Sequence, residues 1–189
     1  MTRKEIKDRH ERYVVDQFIH FWDEHHRERF HVVERPDPPE AIVESPQRRT
    51  WIEVATVYIA DQWARDLHSY ANPDEEHVPM ASGPYTSIDA TFAKRFLKVL
   101  SNKLSKKSYE TVVRMLGPGI LLLDIKSPWF GNDTCEMMAQ ECRKADWTRC
   151  TGYFSCVFIA YPHMNQTAFE EWKECPTIPM HPTPHPQGG

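Results

Sequence analysis

The sequence predicts a mixed α/β protein, a β-sheet with helices layered on its faces. Two apolar runs, 120-ILLLDI-125 and 153-YFSCVFIAY-161, lack the alternation of a strand with one wet face and therefore belong at a sheet centre. Two longer stretches, from residue 3 and from residue 87, repeat their apolar residues every three or four positions, as helices packed on a sheet do. Between them, residues 41 to 59 hold two extended segments joined by a turn.

Each element has its own local reason. Residues 3 to 28 form the first predicted helix, because Val14, Val15, Phe18, Phe21 and Trp22 fall along one stripe. Phe30 to Glu34 reads as a short strand, and Pro36, Pro38 and Pro39 exclude helix and hold the chain extended up to Ala41. Strands over Ala41–Ser45 and Trp51–Ile59 are rich in β-branched and aromatic residues and flank a PQRR turn signal, so they pair as a hairpin. Residues 60 to 70 read as a short helix, and 71-ANPDEEHVPMASGPYTS-87 as an exposed loop. A second long helix runs from Ser87 through Phe92, Phe96, Leu97, Leu100 and Leu104, breaks near Ser108 and continues to Leu116, where Gly117-Pro118-Gly119 stops it. A helix over 133 to 145 separates the two central strands.

With 189 residues the chain can bury a full core, so a single α/β domain is expected over residues 1–176, with a loose tail at 177–189. No apolar run approaches the roughly 20 residues of a bilayer span, and the start, MTRKEIKDRHERY, is charged where a secretory leader would be apolar. A cytoplasmic location is expected. The five cysteines are odd in number and lack zinc-site CxxC spacing, which points to reduced structural thiols. A net charge of -4 argues against coating nucleic acid through bulk positive charge. Residues 88 to 114 are nevertheless locally basic: Lys94, Arg95, Lys98, Lys103, Lys106, Lys107 and Arg114 stand against Asp89 and Glu110. The outward members, Lys94, Lys98, Lys106 and with them Lys107, are candidates for contact with a phosphate backbone, a solvated face being the plainer reading.

Helix geometry sharpens the picture. Glu11 lies seven positions before Phe18, in the middle of the apolar stripe, so its carboxylate points inward. On the second helix Lys103 falls beside Phe96 and Leu100 on the inner stripe, and Lys107 follows it inward if the helix continues. Charged groups on core faces need partners, and Glu11 and Lys103 are expected to share one. On the strand 51 to 59, period-two alternation sets Glu53 on one face with Trp51, Ala55 and Val57. Its hairpin partner begins at Glu40, with Asp37 close by. Glu53, Glu40 or Asp37, and Glu11 beside an amine form a hard-oxygen set suited to Mg2+ or Mn2+ and to metal-assisted phosphodiester hydrolysis.

At these residues the chain resembles the PD-(D/E)xK nuclease superfamily. The matching words are Pro36-Asp37-Pro38-Pro39-Glu40-Ala41-Ile42-Val43 and Trp51-Ile52-Glu53-Val54, and the first helix with Glu11-Arg12 resembles the one that supplies a further acid. The resemblance spans roughly residues 5 to 125 and implies a restriction-endonuclease-like mixed β-sheet flanked by helices. It further implies a Mg2+-dependent nuclease acting on nucleic acid, DNA ranking ahead of RNA, and pairing into a homodimer is an option because many such enzymes cut two strands that way. By this likeness Glu40, ahead of Asp37, and Glu53 would bind the metal, Glu11 would complete its shell, and Lys103 would stabilise the scissile phosphate with Lys107 as stand-in. Two departures stand out. Glu40 occupies the usual aspartate position, and Ala55 the place of the usual lysine, for which Lys103 on a neighbouring helix would substitute.

Competing readings come from other classes. Ala55 and the acidic net charge suit a catalytically silent nuclease-like domain that binds nucleic acid or protein, and a different metal hydrolase on a similar layer fold is a third option. The plainer alternatives are an ion-paired strand carboxylate for Glu53 and a salt bridge to Lys103 or an arginine for Glu11, while Asp37 to Glu40 taken alone reads as a proline-rich turn. Asp124-Ile125-Lys126 matches the letters DxK on one strand face but lies far from the PD-like segment and ends a buried strand. His20, His25, His26 and His31 do not converge on one helix face and read as solvent-exposed.

Overall fold

The computed structural model describes residues 2–71, 76–79, 86–164 and 166–177. Helix α1 (Arg3–His26) opens on a capping box in which the Thr2 side chain accepts from the Glu5 amide and Glu5 reaches back to Thr2, and it closes at Arg27 in the left-handed region. Strands β1 (His31–Glu34), β2 (Ala41–Glu44) and β3 (Arg49–Tyr58) follow as an antiparallel meander, then α2 (Asp61–Ala71) and α3 (Ile88–Leu104). A single 3-10 turn (Lys107–Tyr109) leads into α4 (Glu110–Leu116), β4 (Gly119–Lys126), α5 (Asn132–Lys144), β5 (Phe154–His163) and β6 (Gln166–Glu171).

The six strands form one mixed sheet in chain order, parallel at β3–β4 and β4–β5 and antiparallel elsewhere. Alternation along the strands sorts the core into two layers. Ile52, Val54, Ile120, Leu122 and Phe158 face α1 and its Val14, Val15, Phe18 and Trp22. Trp51, Ala55, Val57, Leu121, Leu123, Val157 and Ile159 face α3 and α5, meeting Phe92, Phe96, Leu100, Leu104, Met138 and Cys142. Both faces of β4 are thus covered, which is why ILLLDI carries no polar alternation. The Thr151 amide and hydroxyl both donate to the Leu104 carbonyl, satisfying an end of α3 that no intrahelical bond can reach.

Several expectations need correction. Residues 37–40 bend rather than run extended, with cis peptide bonds at Asp37–Pro38 and Pro38–Pro39. The second long helix stops at Leu104, where Ser105 bonds back to the Ser101 carbonyl, so Lys107 lies on an exposed 3-10 turn and not on an inward helical stripe. Strand β6 was not foreseen at all; it pairs with β5 across a turn at Met164, whose φ is 53°. The loop expected at 71–87 falls largely outside the described residues, as does the tail from residue 178.

Candidate active site at the open edge of strand β3

The site exists because β2 is shorter than β3. Ala41 pairs with Ile52, and no later residue of β3 has a partner on β2. From Glu53 to Tyr58, β3 keeps only β4 as a neighbour, so its outer edge is open and side chains from α1 and α3 meet around it from opposite faces of the sheet. Glu40 directly precedes Ala41, the first residue of β2, whose partner Ile52 is the last β3 residue paired to that strand, and so stands at the mouth of this gap. The resulting cleft, about 570 Å³, is lined by Lys4, Lys7 and Glu11 of α1, Val54, Ala55 and Thr56 of β3, and Lys103 of α3.

Glu53 is only 2% exposed. Its Oε1 accepts from Lys103 Nζ in a short ion pair and from the Tyr109 hydroxyl at 2.8 Å, while its buried Oε2 has no hydrogen-bond partner among the described residues. Lys103 Nζ also stands 3.3 Å from the Val54 carbonyl, on the open stretch of β3. Burial, reinforced by the Glu53 charge, holds the Tyr109 hydroxyl far above the ordinary tyrosine range, so it stays a neutral donor.

Glu11, 4% exposed, approaches from the other face and pairs with Lys7 at 3.1 Å. Its second oxygen, Oε2, is likewise buried and unpartnered among the described residues. Burial raises the Glu11 pKa, and the Glu53 charge adds to this against the pull of Lys7 and Lys103. The Lys7 pKa is raised as well: burial lowers it, but Glu11, Glu40 and Asp37 together outweigh that. Half-buried Glu40 is pushed up to about 7, first by burial and then by the carboxylates of Glu11 and Glu53. Glu11 and Glu40 thus have their pKa values raised first by burial and then by neighbouring carboxylates, with Lys7 and Lys103 pulling the other way on Glu11.

The expected residues fall into two groups. Glu53, Glu11, Glu40 and Lys103 come together. Asp37 is exposed and lines an adjoining recess of about 110 Å³ with Glu40, Arg12 and Arg35, Lys4 bordering both this recess and the main cleft. Glu11 and Lys103 do not share a partner, since Lys7 takes Glu11 and Glu53 takes Lys103. Lys94, Lys98, Lys106 and Lys107 are exposed, with Lys106 lying over the Tyr109 ring at 5.4 Å. Sequence reasoning missed Lys7 and Tyr109. Lys7 stands four residues before Glu11, a spacing that signals a neighbour on the same helix face; Tyr109 lies just past the predicted break near Ser108, where no periodic stripe gives its direction.

Among the described residues, no three His, Cys, Asp or Glu side chains already stand close enough to close on one metal ion. The donor set nonetheless fits a hard divalent cation. Two buried carboxylate oxygens lack partners among the described residues, the pKa of a third carboxylate is raised to about 7 by burial and then by the other two, and all the donors are oxygens. No helix is long and apolar enough to cross a membrane among the described residues, and the five cysteines form no disulfide. Comparison of the chain with protein families, curated proteins and solved structures gives no match.

Proposed function

We propose that this protein is a Mg2+- or Mn2+-dependent phosphodiesterase of the restriction-endonuclease-like kind, cleaving nucleic acid, with DNA as the first substrate to test. The observation that carries this reading is Lys103 crossing from α3 to Glu53 beside Ala55, which puts an amine where the residue two places after the strand glutamate leaves room. The order of elements, with a helix, three antiparallel strands and a parallel β3–β4 crossover, agrees with it.

Glu53, Glu11 and Glu40 would hold the cation, Glu40 rather than Asp37 because Glu40 is half-buried and lies within the field of both buried carboxylates, whereas Asp37 is exposed. A bound divalent cation would supply the charge that activates water and offsets the phosphate's developing negative charge. Lys103 would then turn part of its donor capacity to a phosphate oxygen, since an ammonium has three N–H groups and Glu53 accepts one. Tyr109 holds Glu53 Oε1, which fixes the rotamer and leaves Oε2 facing its neighbours. Lys7 pairs with the other oxygen of Glu11 and opposes the rise that burial gives its pKa.

One observation favours a second reading, a silent domain that binds without cutting: the Lys103–Glu53 pair already neutralises one carboxylate, as a purely structural ion pair would. The two are separated by incubating wild type, Glu53→Ala and Lys103→Ala with plasmid, linear DNA and RNA in Mg2+ or Mn2+. Cleavage by wild type alone supports the enzyme; equal cleavage by all three refutes this site, and no cleavage by any favours the silent domain.

A further inference from the structure

The DxK pair on β4 forms a second constellation. Asp124 is 2% exposed, faces the α1 side of the sheet opposite Thr56, and divides its oxygens between two donors. Oδ2 receives His10 Nε2 at 2.7 Å and Oδ1 receives Lys126 Nζ at 3.0 Å. A carboxylate so deeply buried is costly unless paired, and here the pairing fixes two nitrogen-bearing side chains in place. Both remain about a third exposed, and both line a pocket of about 330 Å³ walled by Ile6, Tyr58 and Leu67. Lys7, Thr56 and Tyr58 line this pocket and the carboxylate cleft alike, so the two are continuous along β3.

We infer that this pocket is a nucleotide subsite, holding the base and phosphate of the nucleotide next to the one cleaved. The inference rests on the nuclease reading for the strand's path but on separate residues for its chemistry. Ile6, Leu67 and the Tyr58 ring offer apolar surface to a base face. Lys126 has two N–H groups left after Asp124, and Lys7 two after Glu11, so donors stand at the mouth for phosphate or base-carbonyl oxygens. Asp124 acts as a positioning residue that fixes the Lys126 and His10 side chains and touches no ligand itself.

The test is titration of the intact protein with deoxynucleoside 5′-monophosphates and with inorganic phosphate, followed by calorimetry, for wild type, Leu67→Trp and Lys126→Met. Leu67 is partly exposed, so the tryptophan fills the pocket without entering the core. Nucleotides should bind more tightly than phosphate, and each substitution should weaken them about tenfold. Equal binding of phosphate and nucleotide, or no loss in Leu67→Trp with unchanged melting, overturns the subsite. Nucleotide binding in a protein that cuts nothing sinks only the nuclease reading, and cleavage without nucleotide binding sinks only the subsite.

Discussion

Lys103 and Glu53 meet across 50 positions of sequence at the one place where β3 has lost its β2 neighbour, and the carboxylate oxygen that Lys103 does not touch is buried without a partner. The pair stands with the carboxylates of Glu11 and Glu40 nearby, and the proposed cation site rests on this arrangement.

Lys103→Met keeps the methylenes and removes the charge. Glu53 then retains only Tyr109 as donor at 2% exposure, so we expect a loss of about 2–4 kcal/mol in urea unfolding, partly restored by adding Glu53→Gln. A loss below about 1 kcal/mol would place the pair in the class of solvated ion pairs.

Tyr109→Phe deletes one hydroxyl while leaving the ring against Trp51 and Phe154. Loss of a donor to a buried carboxylate should cost about 1–3 kcal/mol. An unchanged midpoint would show that water replaces the hydroxyl at Glu53.

Glu40 gives stability a pH dependence of definite sign. Its folded pKa, about 7, lies above the ordinary 4.5, so between those values the native state holds a proton that the unfolded chain releases. Stability from this group is therefore present below 4.5 and is lost as pH rises through about 7. Glu40→Gln should match wild type near the acid end and exceed it above neutrality by about 1–2 kcal/mol, the full shift being discounted for a half-buried group. Mg2+ should narrow that difference in alkaline buffer; a gap of opposite sign refutes the repulsion.

Gly119→Ala tests the packing that sets β4 in register beside the site. A Cβ there would collide with the Trp51 ring, whose Nε1 donates to the Gly117 carbonyl at 2.8 Å and which is wholly buried. The indole cannot swing aside without breaking that bond, so thermal unfolding should show a loss of about 2–4 kcal/mol. A near-neutral substitution would mean that the ring has slack.

Periodicity revealed the parts of the site that lie on regular elements. The stripe Val14, Val15, Phe18 placed Glu11 inward, and Phe96 with Leu100 placed Lys103, because helical and strand periods fix direction without knowledge of the partner. The same reasoning failed at Lys107, where Ser105 ends the helix three residues earlier than the pattern implied. Strand β6 stayed hidden because 166-QTAFEE-171 is short, partly exposed and carries few apolar residues. Bonds such as His10 to Asp124, across 114 positions, leave no trace in local pattern, since topology alone brings α1 over β4. The open edge of β3 is equally invisible, for it depends on the register between Ala41 and Ile52.

The most direct measurement is a calorimetric titration of the protein with Mn2+ at pH 8, comparing wild type with Glu53→Gln and Glu11→Gln. We expect saturable binding in wild type, lost or greatly weakened in both variants. Identical titrations for all three proteins, or no saturable binding in any, would contradict a cation site among these carboxylates.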